Sequence, residues 1–190
     1  MSDILLTNGE LCDKLKAHQL GLQHYAFSIL LFNENNEMLL QKRAKCKYHS
    51  GGLWSNTCCS HFRNNKEFAN KEDTAKARLK EELGMDFNNT LTYMMTFSYN
   101  KPVISNNNNN DNDDKYLIEN EIDDVFVGKI TSNIKLFLNE NEVDDVRFVN
   151  FDELAIEIKT HNSIYTQWFI EIMNNDDIIT KIKAFLQKNC

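Results

Sequence analysis

The fold prediction starts from residues 25–43, whose sequence is YAFSILLFNENNEMLLQKR. The first nine residues are mostly aromatic and aliphatic, as in a strand, and MLLQKR has a similar character after the turn-forming run NENNE. We therefore predict a β-hairpin. Residues 44–68 follow with two glycines and little periodicity, which predicts a long functional loop.

A helix and more strands extend this pattern along the chain. Residues 70–83 have apolar side chains at helical spacing, and Gly84 is placed to end that helix. Further strands are predicted at 91–99, 116–130 and 147–151.

The C-terminal third of the chain is predicted to be helical. Helices are predicted at 151–160, 163–173 and 176–188, and the Asn/Asp-rich run 105–115 is predicted to be a disordered surface insertion. Because helices interleave with the strands and then follow them, we expect one α/β or α+β domain over 1–190, with a mixed sheet flanked by helices and extra C-terminal helices.

Composition narrows the class of protein. The formal net charge of −7 argues against nucleic acid or an anionic membrane as a partner, and there is no signal-like or bilayer-spanning apolar run. The five cysteines are an odd number at irregular spacing, which is a poor disulfide framework. We therefore expect free thiols and a cytoplasmic protein.

The charge is unevenly distributed. Residues 41–80 hold ten basic and three acidic side chains, a net charge of +7 inside an acidic chain. This segment is either a solvated basic face or a funnel that attracts a phosphate-bearing substrate.

Two short motifs place reactive side chains two residues apart. They are Cys59 and His61 in NTCCSHF, and Glu119 and Glu121 in LIENEID. Residues i and i+2 of a strand project from one face, so each pair can point at one place and form a metal site beside an acid–base group. The alternatives are a solvent-exposed carboxylate stripe and a buried cysteine that only packs.

Taken together, four ordered motifs resemble type 1 isopentenyl-diphosphate isomerase. They are the run HYAFSILLFNENNEMLLQKRA, then KYHSGGLWSNTCCSH, ARLKEELG and ENE, within about residues 11–168. The resemblance implies a Nudix-type fold and an enzyme that interconverts isopentenyl and dimethylallyl diphosphate in isoprenoid biosynthesis.

The resemblance also implies a divalent metal held by three histidines and two glutamates. The matching positions are His18, His24, His61, Glu119 and Glu121. His49 is a rival to His18 for the outlying ligand position. Mn²⁺, Mg²⁺ and Zn²⁺ all suit this donor set. Glu82 matches a residue that helps hold a second Mg²⁺ on the substrate diphosphate.

The catalytic residues implied by the resemblance flank the substrate. Cys59 and Glu121 exchange protons with it; we expect Glu121, helped by Tyr99, to donate and Cys59 to accept, with the reverse order left open. Nearby cations can lower the pKa of such a thiol. Trp168 matches a tryptophan that stabilises the carbocation intermediate. The alternative role for Trp168 is that of an ordinary aromatic side chain in the core.

The diphosphate would be bound by basic residues. The matching positions are Arg43, Lys47 and Arg78, with Lys14 a weaker match. We expect a small-molecule substrate, no nucleic acid or membrane partner, and a monomer.

Two other functions compete with isomerisation. A Nudix hydrolase needs a glutamate-rich box; aligned on EELG, this chain has Arg63 for its glycine, Ala69 for its first glutamate, and keeps only Glu81 and Glu82. A non-catalytic relative acting as a binding module would not need both Cys59 and the ligand set.

Overall fold

The computed structural model describes residues 3–105 and 116–188. The insertion predicted at 105–115 therefore lies outside the described residues, apart from its first member. That residue, Ser105, forms an isolated antiparallel bridge with His49.

The chain begins with a small N-terminal unit for which the sequence patterns made no prediction. Strands β1 (Asp3–Leu5) and β2 (Leu11–Asp13) pair antiparallel, and helix α1 (Lys14–Leu20) follows at once. The Asp13 side chain caps the helix by accepting from the amide three residues on. Gly21 ends it in the left-handed region at φ 62°.

The predicted hairpin forms, but its two strands soon separate. Strands β3 (His24–Phe32) and β4 (Glu37–Arg43) are joined by the expected turn, yet their only registered pair is Phe32 with Met38. Both strands are buried along nearly their whole length, so each finds other partners in the sheet.

The segment predicted as the loop 44–68 contains more structure than expected. It includes the short strands β5 (Trp54–Ser55) and β6 (Cys58–His61) and the helix α2 (Asn65–Ala69). The loop prediction is wrong there, because strands this short show no periodicity and form only by pairing with β4 and β3.

The remaining strands complete one mixed sheet. Strands β7 (Thr92–Ile104), β8 (Tyr116–Lys129) and β9 (Val143–Asn150) lie where three strands were predicted, with β7 and β9 longer than expected. The order is β5-β4-β3-β8-β7, with β6 on β3 and β9 on β4. Strand β8 runs parallel to β3 and antiparallel to β7.

Four longer helices surround the sheet. They are α3 (Lys71–Leu83), α4 (Phe151–Thr160), α5 (Gln167–Met173) and α6 (Asp176–Lys188). Helix α3 ends at Gly84 as predicted, with φ 60°. Among the described residues, no helix combines the length and apolarity needed to cross a bilayer.

Helix α5 begins later than the predicted 163–173. A single 3-10 turn (Asn162–Ile164) comes first, and the next two residues are extended because they pair with β5. The Thr166 amide donates to the Trp54 carbonyl at 2.9 Å, which fixes the start of the helix beside that strand.

The core has two layers, one on each face of the sheet. Leu30 and Phe32 of β3 pack with the C-terminal helices, whereas Phe27, Ile29 and Leu31 pack with α3 and the residues around it. This alternation puts apolar side chains on both faces of β3. The predicted mixed sheet flanked by helices, with added C-terminal helices, is therefore confirmed.

Candidate metal centre and active site

The two motifs with i, i+2 spacing meet across β3. Strand β6 pairs with one edge of β3, placing Cys59 opposite Ser28, and β8 pairs with the other edge, placing Glu121 opposite His24. Ser28 and His24 are four residues apart on β3 and share a face. The second member of each motif lies two residues along that face, so both pairs project into one region.

Six side chains in this region carry candidate ligand atoms. The ligand atoms of one group lie within 4.8 Å of one another, as do those of a second group that shares one member. The groups are His18, His24, His61 and Glu121, and then His18, His49 and Glu119. The five ligand positions predicted from the resemblance are thus all in the cluster, and so is the rival His49.

Backbone carbonyls orient two of the imidazoles. The Nδ1 atoms of His18 and His24 lie 2.7 Å from the carbonyl oxygens of Lys14 and Leu22. Because a carbonyl only accepts, each Nδ1 carries the proton and each Nε2 presents a lone pair to the cluster. The fully buried His18 Nε2 has no hydrogen-bond partner among the described residues, and His24 Nε2 faces a Glu121 oxygen at 3.3 Å. Acceptors facing acceptors in a buried site fit a bound cation.

Burial favours the neutral form of three of the imidazoles, which is the form that binds metal. Burial lowers the pKa of His18 to about 4, and the nearby His24 adds to this effect. Burial likewise holds the pKa values of His49 and His61 well below the usual range, reinforced by Arg43 and Lys14 respectively.

The pKa values of the two glutamates are shifted in opposite directions, although the residues lie only two positions apart on β8. Burial, followed by the charge of Glu121, raises the pKa of Glu119 to about 8. Burial also acts to raise the pKa of Glu121, but His61 and His24 outweigh it and hold that pKa well below its ordinary value. The Tyr99 hydroxyl lies 2.6 Å from a Glu121 oxygen and 3.1 Å from a Glu119 oxygen, so it bridges the pair and can donate its single proton to the closer Glu121.

A cavity of about 30 Å³ lies beside the cluster and is bordered by Cys59, Glu121 and Trp168. Burial raises the pKa of the Cys59 thiol to about 12, and Arg43 opposes this only in part. The expected lowering of the thiol pKa by nearby cations is therefore outweighed by desolvation.

The indole of Trp168 is fixed at its edge. Its Nε1 donates to Ser55 Oγ at 2.9 Å and to Asn56 Oδ1 at 3.2 Å. The Arg43 guanidinium lies 5.0 Å from the ring centroid, in cation–π geometry. The ring therefore borders the cavity in a fixed orientation and already attracts a cation.

A second, larger cavity of about 340 Å³ adjoins the first and shares Cys59 and His61 with it. All four basic residues predicted for the diphosphate line it: Lys14, Arg43, Lys47 and Arg78. Burial, with the adjacent positive charge of Arg43, lowers the pKa of Lys14 to about 8. Part of the basic segment thus forms a concave site, to which α1 adds Lys14.

Glu82 lies outside both imidazole–carboxylate groups, in this cationic cavity. It accepts from Arg78 at 2.5 Å and from Gln41 at 3.2 Å. Sequence reasoning missed one carboxylate of this cavity, Glu142, which pairs with Lys47 at 2.6 Å. Glu142 precedes β9 and has no motif around it, so only the fold reveals its position.

Comparison with known proteins agrees with this geometry. The NUDIX domain family matches residues 22–169. The "Isopentenyl-diphosphate Delta-isomerase 2" of Aromatoleum aromaticum is 41% identical over 155 residues, covering 82% of this chain and 73% of that protein. A protein of the same name from Photorhabdus laumondii is 39% identical over 161 residues, covering 85% and 81%.

Solved structures share the fold at low identity. DR0079 from Deinococcus radiodurans superposes with a TM-score of 0.63 at 10% identity, covering 90% of this chain and 96% of that one. A MutT protein from Methanosarcina mazei Go1 gives 0.55 at 14% identity, covering 88% and 95%. At such identities the likeness speaks for the fold alone. The chain therefore belongs, by its sequence relatives and its architecture, to the isopentenyl-diphosphate Delta-isomerase family of Nudix-fold proteins.

Proposed function

We propose that this protein interconverts isopentenyl diphosphate and dimethylallyl diphosphate, the activity that the names of its relatives state. The observation that carries the proposal is that Cys59 and Glu121 reach one buried cavity from strands on the two sides of β3. An imidazole–carboxylate cluster and a cationic cavity adjoin it.

The reaction needs an acid and a base at separate positions. One proton adds to the terminal carbon of the alkene, and another leaves the carbon two positions away, so the molecular formula is unchanged. We assign these transfers to Cys59 and Glu121, with Glu121 as donor towards dimethylallyl diphosphate and Tyr99 supporting it. The protein groups alone favour a protonated Cys59 and an ionised Glu121, so the order in which the two act stays a prediction.

Between the two transfers the substrate is a tertiary carbocation that must be shielded from water. The proposed stabilising group is Trp168, whose side chain is 4% exposed and whose ring borders the cavity. An indole face stabilises a desolvated cation by ~2 kcal/mol or more. The Arg43 guanidinium already lies over this ring, which supports the assignment.

The diphosphate is assigned to the cationic cavity. The four basic side chains assigned to it above provide charge-assisted hydrogen bonds, and the planar guanidinium groups of Arg43 and Arg78 can bind phosphate oxygens in pairs. Lys47 and Arg78 now pair with Glu142 and Glu82, so the substrate would replace or share these carboxylate contacts. Glu82 is the proposed carboxylate for a second Mg²⁺ that binds together with the diphosphate.

The imidazole–carboxylate cluster can hold a metal ion. The proposed ligands are His18, His24, His61, Glu119 and Glu121, and the proposed ions are Mn²⁺, Mg²⁺ or Zn²⁺. A bound divalent ion would supply positive charge that offsets the mutual repulsion of the two carboxylates. The chain's own contribution is to hold neutral imidazoles and to exclude water from the site.

A Nudix hydrolase is the weaker candidate. Its metal cluster would require several carboxylates on α3, but that helix offers only Glu81 and Glu82 towards the site, and both are paired with Arg78. The carboxylates that approach the cavity come instead from β8.

The deciding experiment incubates the metal-loaded protein and Mg²⁺ with isopentenyl diphosphate in deuterated water. The expected result is dimethylallyl diphosphate that carries deuterium, detected by mass spectrometry and NMR. Release of inorganic phosphate without isomerisation would support the hydrolase instead, and recovery of unchanged substrate would support a non-catalytic module.

Matched variants test the assigned residues. Cys59→Ser and Glu121→Gln should each abolish turnover and leave the far-ultraviolet circular dichroism spectrum unchanged. Cys46→Ser is the control, because Cys46 is an exposed thiol outside both cavities. Near-normal turnover by Cys59→Ser would contradict the acid–base assignment.

We further propose that the protein acts as a cytoplasmic monomer, folded as a single domain over 1–190, on this small-molecule substrate. Sedimentation analysis of the purified chain should give one species near 22.2 kDa. A stable dimer would contradict this part of the proposal.

A further inference from the structure

His49 occupies a position that the five-ligand assignment leaves without a role. It lies between β4 and β5, and its backbone forms a bridge with Ser105 at the end of β7. The residue is 2% exposed. Its ring stacks on His18 at 5.7 Å and meets the edge of Trp168 at 6.0 Å.

The geometry of His49 and Glu119 repeats that of His24 and Glu121. His24 Nε2 lies 3.3 Å from a Glu121 oxygen, and His49 Nε2 lies 3.5 Å from a Glu119 oxygen. Two ligands bound to one cation at ~2.0–2.2 Å, with an angle between them of about 90–110°, are separated by roughly 2.8–3.6 Å. Both contacts fit that range, whereas 3.5 Å is long for a hydrogen bond.

Two more observations favour metal binding through Nε2. The other ring nitrogen of His49 lies 3.1 Å from Ser50 Oγ, which can accept its proton and leave the Nε2 lone pair directed at the cluster. His18 belongs to both ligand groups, so it links the His49 side of the cluster to the His24 side, and its buried Nε2 has no hydrogen-bond partner within the described parts of the chain.

We propose that His49 is a direct ligand of the divalent metal, so that the site holds four imidazoles rather than three, with Glu119 and Glu121 as its carboxylates. His18 and His49 are then partners in one site, not alternatives for one position. A donor set this rich in nitrogen suits Zn²⁺ and Co²⁺ better than Mg²⁺, because imidazole ligands favour the later transition metals.

The test uses the full-length protein loaded with Co²⁺, a paramagnetic probe. Each imidazole bound through Nε2 gives one exchangeable, hyperfine-shifted Nδ1–H proton resonance that disappears in deuterated water. The wild-type protein should show four such resonances, and His49→Gln should show three. Three resonances in both proteins would overturn the proposal.

Metal affinity gives a second readout that separates ligation from a structural role. Competition with a chromophoric chelator should show Zn²⁺ binding weakened at least ~10-fold in both His49→Ala and His49→Gln, since neither side chain supplies an imidazole. If His49 only donated a hydrogen bond to Glu119, the Gln amide would restore binding, and this result would also overturn the proposal. His161→Ala, at an exposed histidine, is the control.

The inference rests on the metal site of the proposed function but not on isomerisation. A protein with four bound imidazoles that does not turn over isopentenyl diphosphate would refute the activity and leave the ligand assignment standing. An active enzyme whose Co²⁺ form shows three imidazole resonances would do the reverse.

Discussion

The hydroxyl group of Tyr99 is the most direct probe of how the two glutamates are held. Tyr99 lies opposite Glu121 on the neighbouring strand, and its hydroxyl bridges both buried carboxylates at 2.6 and 3.1 Å. In Tyr99→Phe this donor is removed while the ring keeps its stacked contact with Phe97 at 5.5 Å. The fold should therefore survive, and the effect should concentrate on the charge of Glu121.

The size of the effect follows from the hydrogen bonds that are lost. A hydrogen bond to a charged group contributes about 1.5–3 kcal/mol, and if Glu121 acts in turnover this corresponds to a ~10- to 150-fold fall in kcat. KM should change little, because the hydroxyl lies outside the cationic cavity that we assign to the diphosphate.

The assay follows conversion of isopentenyl diphosphate at saturating substrate, with thermal unfolding measured in parallel. Tyr93→Phe is the matched control: Tyr93 is on the same strand, is 52% exposed, and bonds only to Thr96 among the described residues. The reasoning is refuted if Tyr99→Phe keeps kcat within twofold of wild type, or if it loses activity only in proportion to a loss of folded protein.

Three further predictions address the diphosphate, the carbocation and the buried imidazoles. Arg78→Ala should raise KM at least ~10-fold, because it removes a charge-assisted contact to phosphate. Lys80 is exposed on the same helix, so Lys80→Ala should leave KM unchanged. Equal KM values for the two variants would contradict the cavity assignment. Trp168→Phe should lower kcat by ~10-fold in steady-state assays, since a weaker π face stabilises the cation less; an unchanged kcat would make Trp168 a packing residue. With metal removed by EDTA, His18→Gln should make the pH dependence of stability shallower in urea titrations. The wild-type imidazole, with its pKa lowered from 6.5 to about 4, binds a proton only in the unfolded chain between these values, so stability rises there by up to ~1.4 kcal/mol for each unit by which the pH is raised. Identical slopes for wild type and variant would contradict this, and His161→Gln is the control.

The same fold supports different chemistry in its structural neighbours. Solved chains that share this fold include a MutT protein and an Ap4A hydrolase, each at 14% identity to this chain. In this chain the carboxylates at the cavity come from β8 rather than from α3. The function is therefore argued from the site, because the fold alone does not specify it.

Local patterns were enough to predict most of the secondary structure and the family. Apolar strand composition around a turn predicted β3 and β4, and apolar side chains at helical spacing predicted α3 and α6, because these long elements each bury one or both faces. The resemblance to the family came from four ordered motifs, including NTCCSH and ENE. Separately, the i, i+2 spacing predicted that each pair of reactive side chains shares a strand face, because that holds whatever the rest of the chain does.

Pairing between distant segments was decided only by the tertiary structure. Strands β5 and β6 are two and four residues long, so their existence depends on β4 and β3 and leaves no periodic signal. The same holds for the site: His49, Glu142 and Lys14 reach it from three segments that are far apart in sequence. The sequence alone placed His18 and His49 in competition for one position, whereas the fold stacks their rings and directs both towards the same cluster. Which side chains share a buried site depends on how the strands are ordered around β3, and no local pattern contains that order.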